Sequence, residues 1–164
     1  PSCSTWRTAC SRQPIGMIRN RARTNNMQDY FAAADKHFFD AELLLSQNPS
    51  RLANASHLYG VAFECAVKTI IQDKRPPSSG GPVVWGHIHE AKLKQLFITS
   101  NAARNNAILQ SRVIDAFNRF ANWNINQRYC ANLDVQFTVL RLNSEQQGAK
   151  EVMQLRDRWI QGVM

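Results

Sequence analysis

The stretch RLANASHLYGVAFECAVKTIIQ, residues 51–72, decides the fold. Read at 3.6 residues per turn, its apolar side chains run from Leu52 through Leu58, Val61, Phe63 and Val67 to Ile71 and leave almost no polar face. A helix that is apolar nearly all round belongs in the middle of a bundle. Its small residues, Ala55, Gly60, Ala62 and Ala66, let neighbouring helices come close. Two charges interrupt it. Glu64 and Lys68 stand one turn apart, in the order that favours pairing. If both are buried, each depends on the other for its neutralisation.

Helical signals continue on both sides of this segment. Upstream, Met27, Phe31, Ala34, Phe38, Ala41 and Leu45 alternate at spacings of four and three, the mark of one helix face. Asn48-Pro49 ends that helix, because proline disfavours helical geometry in the residue before it, and Ser50 is placed to cap the next. Downstream, Lys74–Gly86 carries Pro76-Pro77, Gly80-Gly81 and Pro82, and reads as a loop. A third helix is expected over about 88–98, around Leu93, Leu96 and Phe97. A fourth is expected over about 103–122, with Leu109, Val113, Ala116, Phe117 and Phe120 as its buried stripe. Residues 124–142 read as extended or irregular, since Leu133, Val135, Phe137 and Val139 alternate without a partner strand. Ser144 and Gln147 form a capping box for a last helix over about 145–162, burying Ala149, Val152, Leu155, Trp159 and Ile160. The expectation is an all-α, up-and-down bundle of about five helices.

Charge divides the chain in two. The sequence of 164 residues has a net charge of +8, but residues 1–26 hold Arg7, Arg12, Arg19, Arg21 and Arg23 with no acid. That segment lacks hydrophobic periodicity and reads as a basic tail separate from a domain over 27–164. Three explanations stand open for it: a transit peptide, a nucleic-acid-binding arm, or a non-native leader before Met27. The remainder is only mildly basic, so the isoelectric point near 9.8 does not by itself make the domain a nucleic-acid binder. No apolar run approaches the roughly 20 residues that span a bilayer. Cys3, Cys10, Cys65 and Cys130 form no C-x-x-C pair, which favours a reducing, cytoplasmic setting.

Several segments, taken in order, resemble the HEPN domain family. Residues 54–68 match its central helix, with a small residue, Glu64, small residues and then Lys68. Ala41-Glu42-Leu43-Leu44 before a short turn fits its first helix. Gly86-His87 followed by Leu93 and Leu96 is similar to its "His, then Leu" segment, and Trp123 with Arg128-Tyr129 resembles the "W…RY" ending of some stand-alone bacterial members. The resemblance implies a four- to five-helix bundle, commonly a homodimer. It also implies a defence or toxin–antitoxin setting with RNA, a nucleotide or an antitoxin-like protein as partner, and no cofactor. Active members are metal-independent ribonucleases with an Arg, four to six residues, then a His. There the Arg stabilises developing phosphate charge and the His moves protons.

This chain departs from that pattern, because residues 119–129 contain no His. The pair with suitable spacing, Arg51 and His57, opens the second helix, where six positions turn the two side chains about 120° apart. They remain the catalytic candidates, against the reading of an exposed Arg and a satisfied His. Arg104, Arg112 and Arg119 fall along one face of the fourth helix and, with Lys92 and Lys94, suit phosphates. Asp115 at pairing distance argues instead for a salt-bridged surface. Arg128 and Tyr129 after Trp123 suit a phosphate or base, or else pin a loop to the bundle. His87-x-His89-Glu90 would diverge on a helix, so no metal site is expected. The reading favoured is a non-catalytic module binding RNA, a nucleotide or a partner protein; the alternative is an endoribonuclease with a divergent Arg/His site.

Overall fold

Why helix α1 begins where it does is a matter of capping. The Asp29 carboxylate accepts from the Ala32 amide at 3.0 Å, satisfying a first-turn N–H that has no partner inside the helix. α1 runs Tyr30–Leu45. The computed structural model describes residues 29–47, 51–73, 86–126 and 138–164. The basic tail, Met27, the Asn48–Ser50 stop and cap, Cys130, Arg128 and Tyr129 lie outside these residues. Among the described residues there are six α-helices and no strand.

The all-round apolar segment is α2, Leu52–Asp73. Ala55, Tyr59, Ala62, Ala66, Val67 and Ile70 are fully buried there, as a central helix requires. α1 runs antiparallel to it: Tyr30 lies against Lys68, while Phe38 and Glu42 lie against Tyr59. α3, Glu90–Ile98, buries Leu93 and Phe97.

The expected fourth helix is two. α4, Asn101–Asn105, is capped by Ser100, and α5, Ala107–Arg119, is capped by Asn106, whose side chain accepts from the Leu109 amide at 2.9 Å. Asn106 adopts an extended backbone, so its side chain takes over a hydrogen bond that a continuous helix would have made. The apolar stripe expected there, Leu109 to Phe120, is buried throughout.

The last helix also starts earlier than its capping box suggests. α6 spans Val139–Gln161, capped by Thr138 on the Arg141 amide and closed by Gly162 at φ 72°. Residues 139–142 are therefore helical rather than extended, and Ser144 lies inside the helix. α6 is antiparallel to α1, since Arg156 reaches Phe31 and Asp35 while Gln146 reaches Glu42. It is antiparallel to α5 too, pairing Glu151 with Arg112 and Gly148 with Arg119 and Phe120. Two core expectations fail: Phe31 and Ile160 are largely on the surface. No helix among the described residues is long and apolar enough to cross a membrane.

Candidate functional site

Segments far apart in sequence meet on α2 at two places. At the first, Glu64 and Lys68 form an ion pair at 2.6 Å with both side chains only 3% exposed. Both charges also reach the chain entering α3. Lys68 Nζ donates to the Gly86 carbonyl at 2.7 Å, and the Ile88 amide donates to Glu64 Oε1 at 3.0 Å. His87 Nδ1 stands 3.3 Å from Glu64 Oε2. The Lys68 ammonium also lies over the Tyr30 ring, 5.1 Å from its centre. A buried ion pair is tolerable only when its remaining hydrogen-bonding capacity is met, and the backbone of 86–88 supplies part of it. His87 is turned to Glu64 and His89 occupies the N-cap position of α3, so the H-x-H spacing does not converge. Among the described residues no group of three or more His, Cys, Asp or Glu is placed to hold a metal.

The second meeting point is the turn after α5. The Trp123 indole lies over Gly60, where even one added carbon would overlap it, and stacks on His57 at 6.2 Å between ring centres. Beside it, Arg141 donates to Glu145 at 2.8 Å and to the Asn122 carbonyl at 3.0 Å. Ser56, buried next to His57, donates to the other Glu145 oxygen. Burial pushes the Glu145 carboxyl above its ordinary range, opposed by the Ser56 and Arg141 hydrogen bonds. These contacts tie α2, the 120–126 turn and the start of α6 together at the end of the bundle where Arg51 lies.

The structure separates several sequence candidates. Arg51 is exposed at the start of α2, whereas His57 is half-buried against Trp123. Arg112 does not rely on Asp115; its guanidinium binds Glu151 on α6 at 2.8 and 3.1 Å. That pair leaves Arg112 less free to meet phosphate. Arg119 is exposed, its stem crossing Gly148, and Arg104 is exposed on α4.

Other functional-looking groups were missed. Glu145, Ala149, Val152, Arg156 and Trp159 recur at four-three-four-three spacing, and all are buried. Two charges on an apolar stripe were the signal. Arg156 stacks 3.8 Å over the Phe31 ring centre and pairs with Asp35 and Asp157, each at 2.8 Å. Tyr59 donates to Glu42, which also accepts from Gln146, each at 2.6 Å. Burial, then Glu42, pushes the Tyr59 phenol far above its ordinary range and keeps it a donor. Glu42 and Gln146 edge a cleft of about 150 Å³ lined also by Phe38, Gln147 and Lys150. Cys65 is buried, and its thiol is pushed up to about 11 by burial and then by Glu64, so it stays protonated and unreactive near neutrality. No family model, curated protein or solved structure matches this chain.

Proposed function

We propose that the helical domain is a HEPN-like module that binds RNA or a nucleotide without cutting it. One observation carries this reading: the Trp123 turn is anchored on α2 through Gly60 and His57, and on α6 through Arg141 and Asn122. The last described residue before Arg128 and Tyr129, Asn126, therefore belongs to an anchored turn. A cation and an aromatic ring following such an anchor suit a phosphate and a base. The meeting of Glu64, Lys68, Gly86 and His87 in one network supports the HEPN-like assignment, because those residues carry it in sequence. The non-catalytic part rests on the sequence of residues 119–129, which holds no His where the resemblance would place the catalytic one. In a defence or toxin–antitoxin setting, such a module would act by occupancy, alone or as a homodimer.

The test is binding of a fluorescent single-stranded RNA to the full chain, with intact RNA followed in parallel, with and without EDTA. Expected are salt-dependent binding, loss of affinity in Arg128→Ala and Tyr129→Ala, and uncut RNA. EDTA-resistant cleavage that disappears in His57→Ala would establish the ribonuclease instead. Folded protein with no affinity for RNA or nucleotide would refute the binding role and leave a protein partner.

A further inference from the structure

One oxygen of Glu42 is held from two sides and the other is left over. Glu42 Oε1 accepts from the Tyr59 hydroxyl on α2 and from the Gln146 carboxamide on α6, each at 2.6 Å. Tyr59 is fully buried, with its ring 5.5 Å from that of Phe38, so the donor that orients the carboxylate cannot itself swing away. Glu42 Oε2 makes no hydrogen bond with the described residues. The same side chain lines the cleft of about 150 Å³ between α1 and α6, where Phe38 supplies an apolar wall and Gln146, Gln147 and Lys150 come from α6. Lys150 makes neither an ion pair nor a hydrogen bond with the described residues, Glu42 included. A carboxylate and an ammonium therefore line one small cleft without meeting each other.

We propose that this cleft binds a small zwitterionic amino acid, whose ammonium donates to Glu42 Oε2 and whose carboxylate accepts from Lys150. Simpler occupants meet a like charge. A lone anion is drawn to Lys150 and repelled by Glu42, and a lone cation meets the reverse. A molecule with both charges on either side of one carbon satisfies both, through charge-assisted hydrogen bonds at each end. A metal ion lacks ligands, since among the described residues no group of three or more His, Cys, Asp or Glu is placed to hold one.

Size narrows the ligand further. A cavity of such a volume holds a benzene-sized guest, about six non-hydrogen atoms, which is the size of alanine. The Gln147 carboxamide, which lines the cleft and has no hydrogen bond to the described residues, is a second donor for the ligand carboxylate. Phe38 covers the ligand's apolar side. Because Tyr59 and Gln146 already fix the Glu42 carboxylate, binding does not have to order it, and that lowers the entropic cost. The contact at Oε2 requires N–H groups, so full methylation of the ligand nitrogen removes it. The cleft shares no residue with the contacts that anchor the Trp123 turn, so this inference stands apart from the RNA reading.

The experiment is a titration of the full chain with L-alanine, followed by amide chemical shifts in NMR. Ethylamine, propionate and glycine betaine, each lacking one half of the recognition, are titrated beside it. Expected are saturable shifts at Glu42, Gln146 and Lys150 with a millimolar dissociation constant, and affinities for the three controls weaker by about tenfold or more. Lys150→Met should weaken alanine binding by about tenfold, and because Lys150 is exposed the fold is not at stake. Glu42→Gln keeps an acceptor for Tyr59 and Gln146 and should lose affinity by a similar factor. No saturable shift, shifts that map away from α1 and α6, a control that binds as tightly as alanine, or undiminished binding in Lys150→Met would each overturn the proposal.

Discussion

Replacing Gly60 by alanine sets two local effects against each other, and the structure says which wins. In an isolated helix the change stabilises by about 0.5–1 kcal/mol, because alanine loses less backbone freedom on folding. Here the added carbon would lie 1.9 Å from both Cε2 and Nε1 of Trp123. No rotation of a methyl group relieves that overlap; the indole must move by more than 1 Å. Trp123 is only 8% exposed and is held by His57 and by the fixed 120–126 turn, so it has no free side to move toward. Overpacking of this kind costs about 1–3 kcal/mol, and expelling a large aromatic about 3–5 kcal/mol. After the propensity gain, the expected net loss is about 2–4 kcal/mol. At roughly 2–4 °C per kcal/mol for a chain of this size, Tm should fall by roughly 5–15 °C. Thermal and urea unfolding followed by far-UV circular dichroism measure it. In the double variant with Trp123→Ala, most of the Gly60→Ala penalty should vanish, because the two residues interact directly. Unchanged or increased stability in Gly60→Ala, or a strictly additive double variant, would refute the close packing of α2 against Trp123.

Lys68→Met should destabilise by about 3–5 kcal/mol by leaving Glu64 buried and unpaired, and Glu64→Leu/Lys68→Met should recover most of the loss; urea midpoints decide. Arg112→Ala should change stability by less than about 1 kcal/mol, since the pair with Glu151 is 42% and 21% exposed and screened by solvent. It should also weaken RNA binding less than Arg119→Ala does, read by the same anisotropy titration. For Glu145, burial raises the folded pKa above the ordinary 4.5. Its favourable contribution is therefore complete below 4.5 and is lost as pH rises through the raised folded value. The stability of Glu145→Gln relative to the parent should accordingly improve from pH 4 to pH 7. A difference that stays flat or moves the other way in urea titrations would contradict the assignment.

How much of the candidate site was legible depends on how local each contact is. The Glu64–Lys68 pair joins neighbours one turn apart on one helix, so its existence followed from spacing. Its docking partners, Gly86 and Ile88, lie across the segment 74–85, and no periodicity links them to α2. For Arg112, two acids competed. Asp115 was near in sequence, but Glu151 is brought alongside by the antiparallel packing of α5 on α6 and takes both hydrogen bonds. The break at Asn106 was missed because the apolar stripe on either side keeps helical spacing. Only the extended backbone of that residue, with its side-chain cap, divides α4 from α5.

The sequence by itself determined that the chain is helical, which helix is central, and that a salt bridge lies within it. These properties repeat every turn and are set by neighbours three or four residues away. Tertiary structure alone decided which charges are buried and what they bind. Glu145 and Arg156 occupy the same stripe as Ala149, Val152 and Trp159, and a pattern of apolar residues does not say that a charge among them is satisfied. Ser56 and Arg141 meet Glu145, and Asp35 meets Arg156, only because the helices α1, α2 and α6 pack in one register. The partners of a buried charge are fixed by that register, which is a property of the assembled bundle.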